Sequence, residues 1–332
     1  MRSFIVFILS VLVCATALII ERLVGIEWNY HPDVVTYTSD YLFVTSQGWE
    51  ALPNQLYYFV TEWVEGSVSS LIAINIIAYA LTNVIISKSY FRYLRASGKH
   101  SPWSRYNWLL LIWLLFTPYR LHLAIQGLKD SLIILLICTF AHYQIRSAYT
   151  WLVWLPLLLL RIYAFLYAFL FVKRKMVLFT IIIAVILVVI IEPTTLAILQ
   201  ARNEIDMRGR SFDTIPSFSE FGLMGTVIRM LVWPFLFLSG TFLLVSPALL
   251  FIPIAIDSIL SRLWIRYALG DWGLTMGLIL CLMAIAAIVN GFTPYIRYVY
   301  PLLIVSPIIL MQNKSMKFEL TSKKQIKYIW GK

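Results

Sequence analysis

The sequence predicts an all-α, polytopic integral membrane protein of about ten transmembrane or re-entrant helices, with both termini in the cytoplasm. Of its 332 residues, 61% are hydrophobic and only 13% charged. Apolar runs recur from end to end, each bounded by polar or charged residues. Basic residues gather in short segments such as 88 to 105, 173 to 175 and 314 to 332, which the positive-inside rule places in the cytoplasm.

This composition excludes a soluble domain. A net charge of +11 would suggest nucleic acid as a partner in a soluble chain. Here the excess sits in loops and a tail that would face anionic cytoplasmic lipid, so it sets orientation. Cys14, Cys138 and Cys281 lie inside apolar runs without metal-ligand spacing, so neither a disulfide framework nor a metal site is expected.

The elements follow in order. Met1-Arg2-Ser3 leads into an apolar run to Ile20 that lacks a small-residue cleavage site before Glu21, which predicts an uncleaved first span. Spanning helices are expected at 3 to 20, 67 to 86, 107 to 119, 131 to 145, 176 to 192, 240 to 260, 273 to 291 and 295 to 312. Residues 151 to 172 lie between Arg146 and Lys173-Arg174-Lys175. If both flanks are cytoplasmic the segment forms two short limbs turning near Arg161; a single span would put three adjacent cations outside. The hairpin is favoured on that cost. Segment 223 to 239, with Arg229 and Trp233-Pro234, reads as an outer interfacial or re-entrant helix, because parity requires an odd number of crossings there. Two outer loops are long, 21 to 66 and 193 to 222, and long loops tend to carry function. In the first, 40 to 46 and 54 to 64 are weakly amphipathic, and Tyr57, Tyr58, Phe59 and Trp63 are expected at the headgroup level. No internal repeat is visible, so residues 1 to 313 are taken as one transmembrane domain, followed by a basic cytoplasmic tail, 314 to 332.

Nine of the 27 Lys and Arg residues fall outside the cytoplasmic segments: Arg22, Arg120, Lys129, Arg161, Arg202, Arg208, Arg210, Arg229 and Arg297. A cation held against that bias usually has a function, and these share their side with most of the carboxylates. The outer face therefore reads as a site for an anionic, lipid-linked substrate.

Five segments carry the candidate chemistry. His31-Pro32-Asp33-Val34-Val35-Thr36-Tyr37, followed by Asp40, puts a carboxylate just after the first helix, where it can accept a proton from a sugar hydroxyl; an ordinary solvated loop acid is the plain alternative. Arg120, His122, Gln126, Lys129 and Asp130 are concentrated in eleven residues. Asp130 sits where a helix favours a carboxylate, and Lys129 can pair with it or with a phosphate. Arg161, between apolar neighbours, needs an anionic partner, either a protein carboxylate such as Asp130 or a substrate phosphate. Arg202, Arg208 and Arg210, with Gly209 between the last two, can clamp a diphosphate or pair locally with Glu204 and Asp206. Arg297, in Thr293-Pro294-Tyr295-Ile296-Arg297-Tyr298, opens the last helix either as a snorkelling residue in an aromatic belt or as part of the site. Protease, nucleotide-binding and dinucleotide motifs are absent.

Asp33-x3-Tyr37, the Pro118 to Asp130 segment leading into a helix, Arg161 between two short limbs, the arginine-bearing outer loop and Arg297-Tyr298 opening the last span together resemble a known pattern. It is that of bacterial multi-spanning glycosyltransferases of the GT-C type, in particular the Wzy and EpsG-like polysaccharide repeat-unit polymerases. The resemblance implies a GT-C-like fold in the bacterial inner membrane and an undecaprenyl-diphosphate-linked oligosaccharide as donor. It also implies a lipid-linked glycan as acceptor, membrane lipid and polysaccharide assembly proteins as partners, and elongation at the outer face. Asp33 would then be the general base; Tyr37, Asp40, His122 and Asp130 would line the substrate site; and Arg120, Lys129, Arg161, Arg202, Arg208, Arg210 and Arg297 would contact phosphate and glycan, with no metal or other cofactor. Two other classes remain open: a GT-C transferase using polyprenyl-monophosphate sugars, and a lipid-linked oligosaccharide flippase. A transporter would be expected to show repeated halves and charges through the bilayer depth.

Overall fold

The computed structural model describes residues 2–28, 32–39, 55–97, 107–143, 150–171, 218, 221–245, 251–268, 270–289 and 291–330. Among them every regular element is helical and no strand occurs. The expected span at 176 to 192, nearly all of the loop at 193 to 222, the stretch 40 to 46 and the basic cluster 173 to 175 lie outside the described residues.

Among the described residues three helices are long and apolar enough to cross a membrane: α1 (Arg2–Val24), the helix Val68–Ser97, and Phe292–Phe318 within a longer helix. At about 1.5 Å per residue, the 23 residues of α1 reach about 34 Å, enough for a ~30 Å hydrocarbon core. After it come the short α2 (Pro32–Ser39) and α3 (Gln55–Trp63), then α4 (Val68–Ser97). Expected to stop at 86, α4 runs on through Lys88, Arg92 and Arg95, because no glycine or proline interrupts it before Gly98.

Proline sets the next boundaries. The helix expected over 107 to 119 ends early, as α5 (Asn107–Leu115). Pro118 disfavours helix at Thr117, whose φ and ψ of −62° and 129° are extended, and itself begins α6 (Pro118–Ile125). A tight turn at Gln126–Lys129 leads to α7 (Asp130–Tyr143), then α8 (Thr150–Leu160). At Arg161 the chain passes from α-helix into a 3₁₀ segment, Ile162–Phe171, the Arg161 amide donating to the Leu157 carbonyl and the Ala164 amide to the Arg161 carbonyl. Arg161, Ala164, Tyr167 and Leu170 are all buried, the every-third-residue stripe that a helix of three residues per turn produces.

The remaining helices are α9 (Gly222–Ser239), the single turn α10 (Phe242–Val245), α11 (Phe251–Ala268), α12 (Trp272–Ile288) and α13 (Phe292–Trp330). Gly240 closes α9 at φ +69°, and its missing Cβ would lie 3.1 Å from Ile259. Helix α13, expected over 295 to 312, starts earlier and continues to Trp330 through the segment anticipated as a tail; no glycine occurs within it.

The chain divides into two compact units, Met1–Phe165 with Pro307–Lys332, and Leu166–Ser306. In the first, α4 is the hub, packing on α1, α5, α6 and α7. Its interface with α1 and α6 centres on Cys14, Tyr79, Ala124 and Ile125. Asn83, also on α4, donates to Ser10 of α1 at 2.9 Å and to the Leu115 carbonyl at 3.1 Å, so the apolar packing contains a polar bolt. In the second unit α9, α11 and α12 pack together, and Trp233, Phe237, Phe242, Phe292 and Tyr295 form an aromatic core with ring centroids 5.4 to 6.2 Å apart.

Candidate functional site

Within the first unit, the turn between α6 and α7 is held from four directions. Gln126 leaves helical geometry with ψ 150°, and its carbonyl accepts the Leu128 amide at 2.7 Å. Asn75 of α4 donates through Nδ2 to the carbonyls of Gln126 at 2.9 Å and Leu128 at 2.6 Å. Tyr57 of α3 donates its hydroxyl to the Gly127 carbonyl at 2.7 Å. Glu21, at the end of α1, accepts from the Gln126 side chain at 2.9 Å and lies 2.7 Å from His122 Nδ1. Finally α2 presses on the turn from outside, since a Cβ at Gly127 would stand 3.0 Å from Val34 Cγ1. Every buried carbonyl of the turn named here has a donor, which fixes the backbone that presents the next two residues.

Those residues are Lys129 and Asp130, 3% and 1% exposed. Asp130 opens α7, where the unsatisfied amides of the first turn favour a carboxylate, and its Oδ1 accepts from Arg161 Nη1 at 2.8 Å. The sequence left the partner of Arg161 open; within the protein it is Asp130. The guanidinium is itself buried, so the pair forms where charge is poorly solvated and where each ion removed from water costs several kcal/mol. Lys129 Nζ stands 5.3 Å from the centroid of the Tyr37 ring, a cation–π distance. Tyr37 in turn meets Tyr57 and Tyr58 edge-on at 4.8 and 5.6 Å. Two buried pairs, Tyr37 with Lys129 and Arg161 with Asp130, are thereby brought to adjacent residues at the end of one turn. Asp33 is half-buried one turn before Tyr37 on α2, the helix whose Val34 touches the turn.

Other expected site residues fall elsewhere. Arg120, 1% exposed, lies 4.4 Å over the Tyr79 ring, and its Nη2 donates to the Leu115 carbonyl at 2.7 Å and to Asn83 Oδ1. A ring face and neutral oxygens hold this cation, so it ties α6 to α4 and does not snorkel. His122 joins the Glu21 arrangement beneath the turn. Tyr57 and Tyr58 are buried where headgroup-level positions were expected, whereas Phe59 and Trp63 are 65% and 75% exposed. Arg297 is half-buried near the start of α13, in the second unit. Asp40, Arg202, Arg208 and Arg210 lie outside the described residues.

Sequence reasoning missed Glu21, Asn75 and Tyr57, which position the turn. The signal for Asn75 was present: an amide within an apolar span must find a partner there. Asp257, buried in the second unit and accepting from Tyr300 at 2.9 Å, is a further overlooked carboxylate of the same kind. Arg229, buried beside Thr226 and 5.7 Å from Trp233, is a packing residue of that unit.

The chain matches no protein-family model, no curated protein and no solved structure.

Proposed function

We propose that the protein is a membrane glycosyltransferase of the polymerase type. It would transfer a polyprenyl-diphosphate-linked oligosaccharide to a growing lipid-linked glycan at the outer face of the bacterial inner membrane, in surface polysaccharide synthesis. The observation that supports this reading best is the two buried pairs, Lys129 with Tyr37 and Asp130 with Arg161. An all-helical chain with membrane-length apolar helices keeps two cations and a carboxylate in its interior here. Such groups are costly, and they are commonly retained where charge is handled.

In the proposed reaction the acceptor hydroxyl attacks the anomeric carbon of the donor sugar. Its proton passes to a carboxylate, and the bond from that carbon to the diphosphate oxygen breaks with the electron pair leaving on the diphosphate. Asp33 is the proposed base, on the helix that packs against the turn. Lys129 and Arg161 are the proposed stabilisers of the leaving diphosphate. Asp130 holds Arg161 in position until a phosphate offers the guanidinium a second, bidentate partner. Arg202, Arg208, Arg210 and Arg297 are kept as further proposed contacts, and the fold proposed with them is GT-C-like, of about ten membrane segments.

The test is a cell lacking its own copy of the gene and complemented with variants. Wild type should restore long surface glycans, while Asp33→Asn should insert normally yet leave single repeat units. Normal glycan length with Asp33→Asn would remove that residue from the mechanism. Accumulation of lipid-linked units on the cytoplasmic side of the deletion strain would replace polymerisation with flipping.

A further inference from the structure

A second feature lies in the first unit, where α1 begins and α4 ends. A cavity of about 470 Å³, within the range of small-molecule sites, opens between them. Arg2, Lys88 and Arg95 line it together with Ser87, Phe91 and Leu94, and no carboxylate is among its described lining residues. On α4 the lining positions 87, 88, 91, 94 and 95 follow helical spacing, so one face supplies them over about 12 Å. The rim is cationic: Arg2, Lys88 and Arg95 are exposed, whereas Phe91 and Leu94 are half-buried and Ser87 is buried.

Depth is set by length. The 30 residues of α4 extend about 45 Å, and a hydrocarbon core of about 30 Å leaves about ten residues at its basic end among the headgroups. Lys88 to Ser97 are those residues. Directly after Arg2 and Ser3, α1 exposes Phe4, Ile5, Ile8, Leu9 and Leu12, a continuous stripe at helical spacing. A cationic cavity at headgroup depth adjoining an apolar stripe fits an amphiphile with a phosphate at one end.

We propose that this cavity binds a phosphate anion, and that its source is the headgroup of an anionic phospholipid, whose acyl chain follows the stripe on α1. The site is separate from Lys129, Asp130 and Arg161 and independent of the reaction proposed there.

The test uses the full-length chain in detergent, with lipid retention read by native mass spectrometry. Phosphatidylglycerol should be retained over phosphatidylcholine. The triple variant Arg2→Gln, Lys88→Gln, Arg95→Gln should weaken that retention on the order of a hundredfold, each basic residue contributing about fivefold. A control, Lys314→Gln with Lys317→Gln, removes two other basic residues and should retain phosphatidylglycerol as wild type does. Equal retention of the two lipids, an equal loss in the control, or an unaffected triple variant that melts as wild type would overturn the proposal. Binding of inorganic phosphate alone as tightly as phosphatidylglycerol would overturn the lipid as its source. Should the triple variant fail to fold, the single variant Arg95→Gln, at an exposed position, carries the same comparison with a roughly fivefold expected loss.

Discussion

Asn75 shows how one side chain can govern a site it does not enter. Its amide supplies both donors to the carbonyls of Gln126 and Leu128, so the turn before Lys129 owes two hydrogen bonds to one residue of α4. Asn75→Ala is expected to leave those buried oxygens without that donor, at a cost of about 1–3 kcal/mol. Thermal unfolding of the detergent-solubilised chain measures this, and a melting point equal to wild type would mean that the turn holds without Asn75. Gly127 is the companion case, since any side chain there must displace Val34 by some tenths of an ångström. Neither role was legible beforehand. Asn75 is a polar residue within an apolar span, but its partners are backbone atoms 51 and 53 residues away, and carbonyls carry no mark in a sequence. Arg161, by contrast, was readable because an arginine amid leucines has few ways to be compensated.

At the scale of elements, an ion pair joins α7 to the limb that ends at Arg161. Removing the guanidinium from a buried carboxylate costs about 3–5 kcal/mol, whereas neutralising both partners with groups of similar shape costs far less. Arg161→Gln is therefore expected to destabilise the chain more than the double change Asp130→Asn with Arg161→Gln. Under the proposed reaction both should lose chain extension, so stability and glycan length respond differently. If the double variant is as unstable as the single one, the pair is not the source of the cost. Element boundaries followed the same logic of local physics. Pro118 splits what looked like one span, a reading available from the residue before proline. The extension of α4 through Lys88, Arg92 and Arg95 was less visible, because charge marks the edge of the membrane and says little about the end of a helix.

For the whole molecule, the sequence pattern carried the all-helical class, which the described residues display. The orientation expected from charge asymmetry is open to direct measurement, helped by the three native cysteines, all of which are fully buried. A cysteine placed at the exposed Glu65, in the turn between α3 and α4, is expected to react with an impermeant maleimide on intact cells. One at the exposed Lys317 should react only after lysis. The reverse pattern would invert the protein in the membrane and move the proposed site to the cytoplasmic side. Division into two units was not legible in advance, since apolar spans look alike whichever neighbours they pack against.

The turn at Gln126–Lys129 also has a history written into the order of its supports. Glu21, Val34, Tyr57 and Asn75 all precede it in the chain, so a ribosome making the protein from its N-terminus has already delivered each of them when Gly127 is joined. The turn can close during synthesis, without waiting for anything downstream. Asp130 is different: its arginine is made 31 residues later, so the carboxylate is synthesised ahead of the cation that compensates it. The loop is finished early, and the charge it carries is balanced last.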